Sequence, residues 1–254
     1  MTLQERIIKT EQEFPKIFAE YTQKPYGILF FDESNKLSHD SNHAIIYPSK
    51  IGDLSTVLSD ITDFYLSKGI EPRIYHPADI DYFEKKRSIF EKCGYRVSIY
   101  GDYDIQTLQS KNTIEICPDI EICRITQWDN RIANDIFIPN GEPWEVDVVR
   151  KTMQDKNGCV LAAYIENKAA AVVYFHLSEY CCTRFDYIYV AKEYRGQGIG
   201  RQIHSAAVSY CKDNGFTDIF MWYANDISHR ICYESGLRPF VKMPSGEALY
   251  IEGA

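Results

Sequence analysis

The feature that most constrains the fold of this chain is a glycine-rich loop, "EYRGQGIGRQ", at residues 193–202. It follows an apolar run with strand periodicity and precedes a helical pattern that extends to about residue 214. Glycines at 196, 198 and 200 remove the Cβ atoms that would block the close approach of a ligand. The first amides of a helix are unpaired, and the helix dipole favours an anion at that end. The order strand, glycine loop, helix therefore predicts an α/β protein that holds a diphosphate group at the start of this helix.

The spacing of the glycines excludes two common phosphate loops. A Walker A loop needs a lysine after its last glycine, whereas Arg201 follows Gly200 here. A Rossmann fingerprint needs G-x-G-x-x-G, and the third glycine of this loop is misplaced for it. The pattern that fits is R-x-x-G-x-G, formed by Arg195, Gly198 and Gly200. The alternative is a glycine-rich turn that only brackets the start of a helix.

Hydrophobic periodicity and turn residues divide the rest of the chain. The patterns predict helices over residues 2–24, 52–68, 78–93, 127–137, 143–155, 199–214 and 226–235. They predict strands over residues 26–31, 43–48, 71–77, 95–105, 158–165, 169–178, 182–190, 217–224 and 247–253. The polar segment 32–42 is expected to be an exposed loop.

The two halves of the chain share a weak internal repeat. "IFEKCGYR" (89–96) and "ICYESGLR" (231–238) have the same first isoleucine and the same Gly and Arg near the end, and the order of elements also repeats. We therefore predict a tandem of two related α/β units, residues 1–115 and 116–254, with a boundary in the proline-containing stretch 110–122. The first unit is abbreviated and has only Gly52 after its strand 43–48, so it lacks the glycine loop.

Composition restricts the environment and the partners. The net charge of −8 argues against nucleic acid as a partner, since phosphate binding needs a basic face. The eight cysteines are irregularly spaced without a CxxC motif, which argues against a metal site or a disulfide framework and fits a reducing cytosol. No run approaches 18 apolar residues, and the start of the chain lacks the pattern of a secretory signal. We expect a cytoplasmic monomer or homodimer that binds no metal, membrane or nucleic acid.

The segment from about residue 182 to 240 resembles the GNAT superfamily of acyl-CoA-dependent N-acyltransferases, and the elements upstream from about residue 120 agree with the family's order more loosely. The resemblance rests on the apolar strand, the arginine-glycine loop, Asn225 after the next strand and the helix that closes on "GLRP". It implies a mixed, mostly antiparallel central sheet flanked by helices, and acetyl-CoA as co-substrate. It further implies two sets of coenzyme A contacts. Loop amides bind the pyrophosphate, at Arg195, Gly196, Gln197, Gly198, Ile199, Gly200 and Arg201; the backbone of Ile188, Tyr189 and Val190 pairs with the pantetheine arm, close to Asn225.

Asn225 has a second interpretation, because asparagine is also a favoured N-cap for the helix that follows it. The assignment of the catalytic groups also has alternatives. The family commonly has a tyrosine four residues before the glycine that ends this helix, as the acid that protonates the leaving thiolate. Here Cys232 has that spacing and Tyr233 follows it, and either side chain could simply pack. Asp186 is the candidate general base, although a carboxylate near a strand end is often only a solvated edge residue, and proton removal through water would suffice.

The predicted reaction is direct attack of a primary amine, in a small molecule or a peptide, on the acetyl thioester. The alternative is a CoA-binding sensor or scaffold without turnover, which the displaced tyrosine and the degenerate first unit favour. His204 and His229 receive no catalytic role in either interpretation.

Overall fold

The computed structural model describes residues 1–76, 80–108, 114, 117–216, 218–223 and 225–251. The helices are α1 (Leu3–Glu13), α2 (Leu54–Ser67), α3 (Ile80–Lys92), α4 (Ile138–Asn140), α5 (Glu145–Gln154), α6 (Ile199–Asp213) and α7 (Asp226–Glu234). A π-helical segment, Ile132–Phe137, precedes α4, and 3-10 turns occupy Phe14–Ile17, Pro48–Lys50 and Lys192–Tyr194. The strands are β1 (Glu20–Lys24), β2 (Gly27–Phe31), β3 (His43–Ile46), β4 (Arg73–His76), β5 (Tyr95–Leu108), β6 (Glu121–Arg124), β7 (Gly158–Ile165), β8 (Lys168–Leu177), β9 (Thr183–Val190), β10 (Ile219–Met221) and β11 (Leu237–Tyr250).

The chain forms two compact units whose bounds differ from the predicted division at both ends. The first unit comprises Glu11–Tyr103 and Met243–Ala254, and the second comprises Met1–Thr10 and Asp104–Lys242. The N-terminus joins the second unit because Arg6 forms an ion pair with Asp218 at 2.7 Å and donates to the carbonyl oxygens of Tyr180 and Cys181. The predicted boundary stretch 110–122 lies largely outside the described residues. That the first unit is a degenerate relative of the second stays a prediction.

In the first unit the strand order is β1-β2-β3-β4-β11, with an antiparallel hairpin of β1 and β2 and a parallel pairing of β3 with β4. Its core is built from the apolar faces of α2 and α3 and of the strands. The segment 32–42 is not the exposed loop that its polarity predicts. Ser38, Ser41 and Asn42 are buried, because the Asn42 side chain bonds to the backbone of three other loop residues and so satisfies their polar groups.

In the second unit the strand order is β5-β10-β9-β8-β7-β6. All neighbours whose register is defined run antiparallel except β9 and β10, which run parallel. The long helix α6 packs on β7, β8 and β9, and its apolar side chains form one core with theirs. The predicted mixed α/β class, with a mostly antiparallel open sheet and flanking helices, is confirmed.

Most predicted elements are present; among the described residues, strand β6 was not predicted and several other elements differ in type or extent. Residues 20–24 are strand β1 rather than the end of a long first helix, because Pro15 ends α1 and the segment pairs with β2. The predicted helix 127–137 extends into α4 and ends at Asn140. Strand β10 is shorter than the predicted 217–224 and β11 is longer than the predicted 247–253; residues 217, 224 and 252–253 lie outside the described part of the chain. Within that part, no helix has the length and apolarity needed to cross a membrane.

Candidate functional site

Strand β9 has a backbone edge that is open over most of its length. It pairs with β8 from Thr183 to Val190, but with β10 only at Thr183 and Arg184. In the described part of the chain, no strand pairs with the β10 side of β9 beyond Arg184. β9 has a β-bulge opposite β8, where the two residues Asp186 and Tyr187 face a single residue of β8. The backbone groups of residues 186–190 that point away from β8 are therefore available to an extended ligand along this edge, except the Val190 carbonyl, which accepts from Arg195.

The glycine loop has the conformation that its sequence predicts. Gly196 has φ +77° and Gly198 has φ +80°, values that favour glycine over any residue with a side chain. Gly198 is the N-cap of α6 and provides no side-chain oxygen to bond the first helical amides. A Cβ atom on Gly198 would find its nearest neighbours at 3.8 and 4.0 Å, so the space above the helix start is open. The amides of Ile199, Gly200 and Arg201 thus have no side-chain cap and are suited to bind an anion.

Gly200 has a different purpose from the other two glycines of the loop. A Cβ atom at this position would lie 3.3 Å from Val190 Cγ2 and 3.4 Å from Ile231 Cδ1. The absence of a side chain therefore lets the start of α6 approach both β9 and α7 closely. Gly200 brings the free amides of the helix next to the open strand edge.

The basic side chains of the loop mostly brace it. Arg195 donates from Nε to the Val190 carbonyl at 3.1 Å and from Nη2 to Asn140 Oδ1 at 2.9 Å. Lys192 donates from Nζ to the Pro139 carbonyl at 2.6 Å. Arg201 is half-exposed and has only a loose ion pair, 3.6 Å, with Glu234. Arg201 is thus the more available cation of the two predicted arginines, while Arg195 ties the loop to β9 and to α4.

Asn225 is the N-cap of α7. Its Oδ1 accepts hydrogen bonds from the amides of Ile227 and Ser228, each at 3.0 Å, and its own amide donates to Ser228 Oγ at 3.1 Å. This reciprocal arrangement is a capping box. The capping interpretation of Asn225 is confirmed, and its contact with a pantetheine arm stays a prediction.

The two candidate acids lie in different environments. Cys232 is fully buried, its Sγ lies 3.0 Å from Met221 Sδ, and burial raises its pKa to about 12. Tyr233 is half-exposed, and the Arg238 guanidinium lies 3.8 Å from the centre of its ring. A thiol in the apolar core has no path to a ligand on the surface, whereas the phenol has one. The structure therefore favours Tyr233 over Cys232 where a side chain must deliver a proton.

Asp186, the candidate base, is an ion-pair partner rather than a solvated edge residue. Its Oδ1 lies 2.9 Å from Arg184 Nη1, and both side chains are about nine-tenths buried. The guanidinium occupies one carboxylate oxygen, so a proton or a water must use the other. His176 lies opposite Arg184 on β8, and burial, with a smaller contribution from Arg184, lowers its pKa to about 3. His204 is buried against Phe185 and Met221, and burial lowers its pKa to about 3, which agrees with a packing role.

Sequence reasoning missed the side chains on the other face of β9. Since Val190 contacts Gly200 of α6, the neighbouring Tyr189 points to the opposite face. There its ring packs at 4.9 Å against Phe137, and its hydroxyl donates to the Glu142 carboxylate. Burial first, and the nearby Glu145 and Glu142 carboxylates next, raise the pKa of Tyr189 far above its usual range.

Glu145 and Tyr174 form a second carboxylate–phenol pair on this face. The Tyr174 hydroxyl donates to Glu145 Oε1, and both residues are buried. Pro139 contributes to the geometry of this region, since it has no N–H for the carbonyl of residue 135. The Ile138 N–H instead bonds to the Ala133 carbonyl five residues back, which is the π-helical pattern. A proline followed by "NGE" is the sequence signal that could have drawn attention to this turn.

The described residues contain no group of three or more His, Cys, Asp or Glu side chains placed to hold a metal ion. The eight cysteines are free thiols, of which Cys159, Cys182, Cys211 and Cys232 are buried.

The fold and the site together place an uncapped helix N-terminus, a position suited to an anion, beside the open backbone edge of one strand. Residues 124–236 match the family model described as the acetyltransferase (GNAT) family. This part of the chain is therefore a GNAT-family domain, and members of that family are acyltransferases. Among curated proteins no sequence matches this chain.

Solved structures agree at the level of the fold. A GCN5-related N-acetyltransferase from Kribbella flavida is 12% identical with a TM-score of 0.63, over 100% of this chain and 96% of that protein. A GCN5-related N-acetyltransferase-like protein from Streptococcus suis is 11% identical with a TM-score of 0.54, over 97% and 98%. A tandem GNAT protein from the clavulanic acid biosynthesis pathway is 10% identical with a TM-score of 0.55, over 84% and 76%. At these identities the likeness establishes the fold and not the substrate.

Proposed function

We propose that this protein is an acetyl-CoA-dependent N-acetyltransferase that acylates a primary amine of a small molecule or a peptide by direct attack. The observation that carries the proposal is the pairing of an uncapped helix start, Ile199–Arg201, with the open edge of β9. An anion at the helix and an extended chain along the strand match the two ends of coenzyme A. The family match at 124–236 supports acyl transfer as the reaction.

The residues present fit coenzyme A as a co-substrate. The loop amides and Arg201 would hold the pyrophosphate, because each charge-assisted hydrogen bond contributes about 1.5–3 kcal/mol. The backbone of Ile188, Tyr189 and Val190 would pair with the pantetheine arm, since no strand among the described residues covers that edge. The Val190 carbonyl is excepted, because it already accepts from Arg195. Acetyl-CoA would supply an activated acyl group, as a thioester with a thiolate leaving group.

The chain's own groups would then handle protons and charge. An alkylammonium, with a pKa of about 10.4, must lose a proton before it can attack. Asp186, through its oxygen that is not held by Arg184, is one acceptor for that proton, with water as the carrier. Backbone amides on the open edge of β9 would stabilise negative charge on the acyl oxygen. The half-exposed Tyr233 would deliver the proton that the departing sulfur takes up.

A screen of primary amines with acetyl-CoA, read out by release of free thiol, tests the proposal. We expect thiol release that depends on the amine and that Gly198→Asp abolishes. The absence of thiol release with every amine, in a protein that binds coenzyme A, would refute the proposal of catalysis.

A second candidate, a CoA-binding sensor or scaffold, is favoured by one observation. The residue at the family's tyrosine spacing is Cys232, which is buried in the core, while Tyr233 packs under Arg238 at the surface. Loop and strand edge would then bind coenzyme A without a group that completes transfer. Tight binding of coenzyme A with no turnover in the amine screen is the outcome that selects this function.

A further inference from the structure

The turn at the end of α4, residues 138–142, presents fixed polar groups next to β9. Gly141 has φ +87°, and the amides of Gly141 and Glu142 donate to the carbonyls of Ile138 and Phe137 at 3.1 and 3.0 Å. These bonds form a Schellman motif, which ends the helix in a defined geometry. The turn therefore fixes the positions of the Asn140 and Glu142 Cα and Cβ atoms.

Both side chains have one polar atom that is shielded from solvent and has no hydrogen-bond partner among the described residues. These atoms are Asn140 Nδ2 and Glu142 Oε2. The amide of Asn140 is oriented by Arg195, since a guanidinium only donates and Oδ1 receives it at 2.9 Å. A buried polar atom without a partner costs about 1–3 kcal/mol, and more when it is charged. A donor and an acceptor left open on one turn indicate that a ligand completes them.

The character of this face points to a positively charged ligand. Tyr189 donates to Glu142, and the Glu145 carboxylate, which accepts from Tyr174, lies close enough to act electrostatically on Tyr189. Lys192 and Arg195 approach the same turn, but their side chains are bonded to the Pro139 carbonyl and the Asn140 oxygen. None of these contacts places a cation on the shielded Glu142 Oε2, which is a carboxylate oxygen.

The rim of the face is apolar. Ile138 is 55% exposed and Tyr187 is 42% exposed, and they belong to the turn and to β9 respectively. An alkyl chain can cover these surfaces while its charged end reaches Glu142. The turn thus combines an apolar rim with a buried carboxylate oxygen.

We propose that Glu142 determines the acceptor, and that the acceptor is an amine with an additional positive charge on an aliphatic body rather than an amine that carries a carboxylate. Glu142 Oε2 binds the positively charged group of the acceptor that is not acylated. Asn140 Nδ2 donates a hydrogen bond to an oxygen of the acceptor or of a bound water. This inference rests on the proposed function, because it names the substrate class of the same site. Glu142 binds and selects here and takes no part in the proton transfers.

The test compares three amines of equal length: pentylamine, its analogue with an amine at each end, and its analogue with a carboxylate at the far end. We expect kcat/KM to be highest for the diamine and lowest for the carboxylate analogue. Glu142→Gln keeps the shape and the hydrogen bond from Tyr189 and should reduce the ratio of diamine to carboxylate analogue at least tenfold, mainly through KM. Glu121→Gln removes the same charge from an exposed position on β6 and should leave the ratio unchanged.

Calorimetric titration of the diamine into the CoA-loaded protein provides a readout that needs no turnover. Weaker diamine binding in Glu142→Gln, with unchanged affinity for coenzyme A, supports the inference even where no amine is acylated and the proposed function fails. An unchanged diamine affinity, or a loss of coenzyme A affinity in its place, would overturn it. A folded Glu142→Gln protein is verified by a melting temperature close to that of Glu121→Gln.

Discussion

Replacement of Gly198 by aspartate separates the stability of the glycine loop from its binding capacity. The new Cβ atom would lie no closer than 3.8 Å to Arg201 and 4.0 Å to Gln202, so no clash arises. The cost is conformational, because a residue with a side chain at φ +80° lowers the free energy of unfolding by about 1–2 kcal/mol. For a unit of this size that amounts to a fall in melting temperature of about 2–4 °C per kcal/mol. We expect Gly198→Asp to be folded at room temperature.

The effect on ligand binding should be much larger. The carboxylate would sit at the N-cap of α6, where it competes for the free amides of Ile199–Arg201 and repels a pyrophosphate. Loss of two charge-assisted hydrogen bonds at about 1.5–3 kcal/mol each gives about 3–6 kcal/mol. The affinity for coenzyme A should therefore fall by roughly 10²- to 10⁴-fold. Isothermal titration with coenzyme A measures this change.

Two control variants isolate the cause. Gly198→Ala adds the same Cβ atom and the same backbone strain without a charge, so the difference in affinity between the two variants measures the effect of the carboxylate. Gly215→Asp adds a carboxylate near the opposite end of α6, at φ +75° and with no atom within 4 Å of the new Cβ. If Gly198→Asp retains an affinity within threefold of the unmodified protein, or if Gly215→Asp loses as much, the helix start is not the anion site.

Four further substitutions test the proton donor, a buried histidine and the 138–142 turn. Tyr233→Phe should lower kcat at saturating substrates by at least about tenfold, whereas Cys232→Ala should lower only the melting temperature; the reverse result would assign the proton to Cys232. The pKa of His204 is about 3 in the folded state and about 6.5 when unfolded, so the unfolded chain binds the additional proton and stability falls as pH drops below about 6.5. Urea unfolding at pH 7 and pH 5 should show that His204→Gln removes about 2 kcal/mol of this loss, and an unchanged loss would refute the assignment. Gly141→Ala should cost about 1–2 kcal/mol because of its φ of +87°, and should raise the KM for the amine; an unchanged KM would contradict the role of the 138–142 turn.

The sequence predicts those elements whose own residues show how they are buried, such as a continuous apolar run. Residues 158–165 form an unbroken apolar run, and strand β7 has those bounds in the structure. Residues 20–24 carry charged and polar side chains that continue a helical pattern, yet they form a strand because β2 supplies their hydrogen bonds. The same limit applies to the segment 32–42, since its polar side chains are buried by bonds to the backbone of the loop and to one another, which no periodicity reveals.

The binding loop was predictable for a related reason. Positive φ values at Gly196 and Gly198 are a property of the local backbone, and the glycine residues themselves predict them. The environment of a catalytic side chain is not local. Whether Cys232 or Tyr233 is accessible depends on Met221 and Arg238, which approach from other elements. Sequence spacing allows either Cys232 or Tyr233 as the proton donor, and their different burial in the structure distinguishes them.

Arg195 shows how a correct motif can carry an incomplete interpretation. The pattern R-x-x-G-x-G assigns this arginine to the phosphate, but its guanidinium bonds to the Val190 carbonyl and to Asn140 Oδ1. The bond to Val190 holds the loop against the end of β9, and the bond to Asn140 holds the loop against the turn that bears Glu142. The guanidinium makes the two bonds from different nitrogens in a fixed plane, Nε and Nη2, whereas a lysine has all its donors on one nitrogen. The arginine of the motif therefore joins the proposed anion-binding loop both to the end of β9 and to the turn where we place the acceptor.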